Sequence, residues 1–141
     1  METRKILIVD DDQAVCNLVS IIVKKCGFES TSITDAHDAI GIIENDEKIF
    51  LIITDLHMPM MTGYELVQMV HERFPYLKII VMSSDLYDER ILSIKSHVDW
   101  ILDKFELYHG LKEILKKLQG ENFVKESASP FKNEKNFYTT I

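Results

Sequence analysis

This 141-residue chain has only two cysteines, no excess of basic residues and no long apolar run. Cys16 and Cys26 fall in one expected helix, roughly 15 Å apart along its axis, so they cannot bond to each other. Two unpaired thiols exclude a disulfide scaffold and suit a reducing, cytoplasmic setting. The 16 Lys and Arg stand against 23 Asp and Glu, for a net charge of −7, which argues against direct binding to a nucleic-acid backbone. No apolar stretch approaches the ~20 residues needed to span a bilayer. The opening METRKILIVD passes straight into a strand-like run without a cleavage-site pattern, so no secretory signal is expected.

The remaining pattern is that of one domain large enough to bury a real core. Its centre is LIITDLHMPMMTGYEL (residues 51–66). The apolar, partly β-branched run 49–53 is long enough for a strand buried on both faces and too short for an ordinary helix. It leads to Asp55, then to a loop holding Pro59, then to Thr62-Gly63-Tyr64-Glu65, a capping box that starts a helix. An acid at the exit of a buried strand sits where open α/β sheets place their chemistry.

The flanking sequence repeats the alternation. Residues 5–9 form an apolar strand ending in Asp10, Asp11 and Asp12, followed by a helix with Val15, Leu18, Val19 and Ile22 on one face. Lys24, Lys25 and Gly27 close that helix. Residues 28–33 form a third strand, and Asp35 caps a helix carrying Ala36, Ala39, Ile40 and Ile43. After the central helix stops before Phe74-Pro75, residues 78–82 form a strand ending at Ser83-Ser84. A helix is expected from Asp85 to about Ser96, a last strand over 98–102, and a final helix with Leu107, Leu111, Ile114, Leu115 and Leu118 in one stripe. Five strands alternating with five helices through short connections imply an α/β fold with a doubly wound parallel sheet. The period stops near Gly120. The segment 121–141 carries equal numbers of acids and bases and reads as a flexible C-terminal tail beyond a domain of residues 1–120. Its aromatics leave room for a docking peptide.

Every candidate functional residue falls at the carboxyl end of a strand: Asp10 and Asp11, then Asp55, Ser83 and Lys104. With the first strand central, these ends converge on one crevice. Clustered carboxylates repel one another unless a cation joins them, and an all-oxygen site with room for water suits Mg²⁺. Ammonium, hydroxyl and Mg²⁺ around a free carboxylate are the parts that phosphoryl transfer to Asp55 needs.

KILIVDDD, LIITDLHMPMMTGYEL, VMSS and DK, in this order, resemble the CheY-like receiver domain of two-component response regulators over about residues 4–119. The resemblance implies a flavodoxin-like (βα)5 sandwich with strand order 2-1-3-4-5. It implies Asp55 as phosphoacceptor, Asp11 as a direct Mg²⁺ ligand, and Asp10 bound through water or a second contact. The backbone carbonyl of His57 would complete the protein ligands. Ser83 would be the switch hydroxyl, Lys104 the site lysine and Ser84 a small residue that admits the phosphate. Asp12 reads as a helix-start residue, the His57 side chain as flanking the site, and Met58, Met60 and Met61 as loop and core packing. Trp100 reads as core or interface rather than as a cofactor contact.

Two departures stand out. The family usually follows its lysine with proline, often through a cis bond, whereas Lys104 precedes Phe105. A cis bond without proline costs about 3–4 kcal/mol, so a trans bond and a reshaped loop are expected. The family often places an aromatic switch residue three positions before the lysine. Here that position is Ile101, and we take the adjacent Trp100 for the role, on the premise that an extra strand residue offsets the missing proline.

The resemblance implies a stand-alone receiver that accepts phosphate from a sensor histidine kinase or phosphotransfer protein, docked near Gln13–Leu18 and the loop after Lys104. Output would pass to a protein partner, or to a second copy in a homodimer, through the surface of the fourth helix, fifth strand and fifth helix. Such a chain is a switch rather than an enzyme. The competing readings are a pseudo-receiver that binds without phosphorylation, a receiver cut from a larger regulator, and a D-x-D phosphohydrolase. The last lacks a second carboxylate two residues beyond Asp55.

Overall fold

The computed structural model describes residues 4–120 together with 137–138. The aliphatic runs become β1 (Lys5–Val9), β2 (Glu29–Ile33), β3 (Ile49–Asp55), β4 (Lys78–Ser83) and β5 (Trp100–Asp103). These pair in parallel in the order β2-β1-β3-β4-β5, as the resemblance implied. A two-residue strand, β6 (Phe137–Tyr138), pairs parallel with β5 at the edge. The rest of the expected tail lies outside the described residues.

All seven positions of β3 are buried because helices cover both faces of the sheet. Strand alternation sorts the other side chains. Ile6, Ile8, Ile53, Ile80 and Leu102 share a cluster with α1 (Gln13–Lys25) and α5 (Leu107–Gln119). Leu7, Val9, Ile52, Val81 and Ile101 pack with α2 (Ala39–Asn45), α3 (Gly63–Arg73) and α4 (Ile91–Ile94). Burying each such side chain contributes about 1.5–3 kcal/mol.

The same alternation corrects the expectation for Trp100. Its half-buried ring packs on the α1–α5 side, with the Lys78 ammonium 5.9 Å from the ring centroid. Ile101 lies on the opposite face, in the cluster that holds Ile91, Ile94 and Val98. Trp100 therefore does not face α4, and the residue three before Lys104 that does is Ile101.

Local chemistry sets the helix boundaries. Asp12 caps α1 by accepting from the Ala14 amide, and Gly27 follows its end at φ +88°, the left-handed region glycine tolerates. Asp35 caps a one-turn 3₁₀ segment (Ala36–Asp38) leading into α2. The capping box at Thr62 and Glu65 is formed in both directions.

The helix expected over 85–96 is largely absent; only Ile91–Ile94 is α-helical, followed by a 3₁₀ turn over Lys95–His97. The reason is side-chain competition for the backbone. Asp85 Oδ1 captures the Tyr87 amide at 3.0 Å, and Asp88 Oδ1 captures the Arg90 amide at 2.9 Å. β5 also starts two residues late. The buried Asp99 donates its amide to the Ile79 carbonyl at 2.9 Å and accepts the Ile79 amide on its Oδ2 at 2.9 Å, so a side chain takes the place of a ladder carbonyl there.

Gly63 ties α3 to the end of β3. A Cβ there would lie 2.0 Å from the Asp55 carbonyl oxygen and 2.6 Å from Leu56 Cα. Gly63→Ala is expected to lower stability by at least about 3 kcal/mol, since backbone rather than a flexible side chain must yield. A methyl group added at Gly41, inside α2, would meet nothing within 4 Å, so Gly41→Ala should raise stability by roughly 0.5–1 kcal/mol. Urea midpoints of the two variants check both signs.

Candidate functional site

The site begins with two parallel strands in register. Val9 pairs with Thr54, so the next residues, Asp10 and Asp55, leave adjacent strands side by side. Both are buried, at 0% and 3% exposure, while Asp11 is exposed on the rim. One carboxylate oxygen from each of Asp10, Asp11 and Asp55 lies within 4.8 Å of the others.

Each buried acid is held by its own loop. Asp10 Oδ1 accepts the Asp12 amide at 2.9 Å, and Asp55 Oδ1 accepts the Leu56 amide at 2.9 Å. The Thr54 hydroxyl donates to the Asp55 carbonyl at 2.9 Å. From the end of β5, Lys104 Nζ reaches Asp10 Oδ2 at 3.0 Å and Asp55 Oδ2 at 3.2 Å. The contact with Asp10 is ionic rather than aligned, and the buried Oδ2 accepts no hydrogen bond.

Burial pushes the Asp10 carboxyl above its usual range, against the partial opposition of the Asp12 amide and Lys104. Burial also pulls the Lys104 ammonium down, but its contacts with Asp10 and Asp55 outweigh this and leave it raised. The result is an acidic pocket with one ammonium and a buried carboxylate oxygen still able to accept. An all-oxygen donor set of this kind fits a hard divalent cation.

The Lys104–Phe105 bond is trans, as expected without proline. A 3₁₀ turn over Lys104–Glu106, capped by Asp103, replaces the expected loop start, and Phe105 is left 79% exposed. The substitution has not moved the ammonium out of the site.

Ser83 is fully buried at the end of β4, but its hydroxyl is committed to its own turn. It donates to the Asp85 carbonyl at 2.8 Å and accepts the Asp85 amide at 3.0 Å. The His57 side chain also stands apart from the carboxylates. Its Nδ1 is 3.4 Å from the Arg90 guanidinium, and its Nε2 is 3.7 Å from Asp88 Oδ2. Asp12 is the helix cap, as expected. Met58 is buried and Met61 packs against the core. Met60 differs: it is 88% exposed at φ +68°, a strained placement for a side chain.

Sequence reasoning missed a group of residues beside this pocket. Arg90 grips Asp88 through Nε at 3.2 Å and a terminal nitrogen at 2.8 Å, and its guanidinium lies 4.8 Å from the Tyr64 ring centroid. The hydrogen bonds from Arg90 hold the Asp88 carboxyl down at about 2. Burial, with Asp88 nearby, pushes the Tyr64 hydroxyl up to about 12. That hydroxyl is buried without a hydrogen-bond partner. The spacing Asp88-x-Arg90 signals a local turn but carries no sign that it reaches His57, 33 positions away.

Residues 6–120 match the family described as the response regulator receiver domain. The two-component response regulator ORR5 of Oryza sativa subsp. japonica is 33% identical over 88 residues, 61% of this chain and 66% of that protein. The response regulator-like protein APRR3 of Arabidopsis thaliana is 31% identical over 64% of this chain but only 19% of its own length. The chain thus spans just under two thirds of the first relative and about a fifth of the second. The response regulator TrrA of Thermotoga maritima, solved in complex with Mg²⁺-BeF, superposes with a TM-score of 0.73 at 26% identity, covering 82% of this chain and 99% of that one. A CheY-like receiver domain protein from Methanospirillum hungatei JF-1 superposes with a TM-score of 0.69 at 27% identity, covering 85% and 99%. With the parallel sheet in the same order and the acids at its strand ends, this chain belongs to the receiver domain family of two-component response regulators.

Proposed function

We propose that Asp55 accepts a phosphoryl group from the phosphohistidine of a sensor histidine kinase or phosphotransfer protein. The observation that carries this reading is the convergence of three carboxylates and Lys104 at the ends of β1, β3 and β5. A carboxylate oxygen of Asp55 attacks phosphorus, the P–N bond breaks, and its electron pair returns to the donor imidazole. The Leu56 amide orients the Asp55 carboxylate. Lys104 neutralises charge that develops on the phosphoryl oxygens. Asp10, Asp11 and Asp55, with the His57 carbonyl, would hold Mg²⁺, and the clustering of one oxygen from each acid suits that role. When bound, Mg²⁺ supplies further neutralisation of the transferring group.

Ser83 would then donate to the phosphoryl group in place of the Asp85 carbonyl, with Ser84 leaving room for it, and its loop would carry the change toward α4 and β5. Leu92 on α4 and Phe105 in the turn after β5 are exposed. Apolar groups there suit a protein partner or a homodimer, and no direct nucleic-acid contact is proposed. A stand-alone receiver would pass its signal to another protein at this face, and the receiver of a larger regulator would pass it to an attached domain. In either case the chain works as a switch that catalyses only its own phosphorylation and dephosphorylation. Free, buried Cys16 and Cys26 support a cytoplasmic location. Among the described residues, no helix is long and apolar enough to cross a membrane.

Incubation with a small-molecule phosphodonor and Mg²⁺, read by intact mass, should add one phosphoryl group to the wild type and none to Asp55→Ala. An unchanged wild-type mass would support the pseudo-receiver instead. Mg²⁺ at ten times its Kd should stabilise the protein by ~1.4 kcal/mol, raising Tm by roughly 3–6 °C. Asp11→Asn should remove most of that rise in a thermal melt.

A further inference from the structure

We infer that Asp88 and Arg90 are positioning residues for phosphoryl transfer: by clasping His57 and Tyr64 they hold the Ser83 loop in the placement that withholds its hydroxyl from Asp55. The inference rests on the phosphoacceptor reading above. The one proton the Ser83 hydroxyl can donate is spent on the Asp85 carbonyl at 2.8 Å, and the hydroxyl also accepts the Asp85 amide at 3.0 Å. A phosphoryl group on Asp55 can recruit that hydroxyl only if the Asp85 turn gives way. What resists the movement is the far end of the same loop.

There, Asp88 takes three hydrogen bonds from Arg90, one from its amide at 2.9 Å and two from its side chain at 3.2 and 2.8 Å. The pair closes over His57, with Arg90 3.4 Å from Nδ1 and Asp88 3.7 Å from Nε2. His57 is two residues beyond Asp55 on the loop after β3. Tyr64 is the second residue of α3, and its ring lies edge-on to His57 at 5.9 Å and beneath the guanidinium at 4.8 Å. The loop after β4 is thereby fastened to the loop after β3 and to the first turn of α3. The Asp88 side chain is only 15% exposed despite its charge, whereas that of Arg90 is 59% exposed. Arg90 can therefore be removed without opening the core.

Breaking the clasp should free the loop to sample the placement that presents Ser83, so a scarce competent conformer becomes a common one. If that conformer rises from about a tenth of the population towards dominance, the apparent affinity for a group that needs it rises roughly three- to tenfold. The test compares wild type with Arg90→Ala and Asp88→Asn, using a small-molecule phosphodonor with Mg²⁺ for the phosphorylation rate and beryllofluoride with Mg²⁺ for equilibrium affinity. Both variants should be phosphorylated faster and bind beryllofluoride more tightly, by that factor. Arg90→Lys keeps the charge but not the planar fork and should fall between them and wild type.

Arg73→Ala is the control. It removes the exposed Arg73–Glu44 pair at 2.6 Å, between α3 and α2, so it should leave both readouts at wild-type values. Rates and affinities of Arg90→Ala within twofold of wild type, or below it, overturn the inference. A wild type that is never phosphorylated overturns the phosphoacceptor reading instead, so the two failures are distinct.

Discussion

The structure depends on one ammonium holding two buried carboxylates. Lys104 lies 3.0 Å from Asp10 and 3.2 Å from Asp55, and both acids sit at the ends of central strands with almost no exposure. Two like charges withdrawn from water repel each other, and their burial adds to the cost. A single positive charge from β5 offsets part of it and leaves an acidic excess. That excess suits the pocket chemically to a cation, and the fully buried Oδ2 of Asp10 faces only the Lys104 ammonium among the polar contacts described. The apolar strands place these charges, and the charges give the strand ends a purpose beyond packing.

Backbone geometry keeps the pocket small. The Gly63 amide donates to the Leu56 carbonyl at 3.0 Å, and its missing Cβ lets α3 press against the Asp55 carbonyl. The Leu56 amide shares itself between the Met82 carbonyl at 3.2 Å and its neighbour Asp55 Oδ1 at 2.9 Å. The acid is thus oriented by the strand it leaves, the strand beside it and the helix that follows. Met60, at φ +68° in the same loop, carries backbone strain that the tight β3–α3 connection imposes.

The strands and most helices were legible because their information is local and periodic. The runs 5–9, 49–53 and 78–82 have no competing structure, and Asp12, Asp35 and Thr62 cap the helices they precede. The placement of the strand-end acids and Lys104 was legible for the same reason, since it follows from where a strand stops. Other features depend on contacts that no period encodes. The 85–96 helix fails because Asp85 and Asp88 turn their carboxylates onto nearby amides, which competes with helix formation one residue at a time. Trp100 suits a switch role by its chemistry, whereas the position is decided by which face of β5 an even or odd count from Lys104 reaches. The clasp on His57 joins residues 33 apart through geometry that exists only after folding.

The edge of the sheet narrows what kind of contact the proposed output face can make. An open edge strand offers unpaired amides and carbonyls to any extended partner. Here Phe137 and Tyr138 already pair with Ile101 and Leu102 of β5. A partner docking on this side therefore meets β6 where the β5 backbone would otherwise be open, and its contacts with the rest of the face must come from side chains. Those available are Leu92 on α4 and Phe105 in the turn that Lys104 opens, both exposed. Phe105 is thus the residue that departs from the usual proline, the immediate neighbour of the site lysine and part of the apolar surface. Under the proposed function, a change at Lys104 would reach Phe105 through a single trans peptide bond.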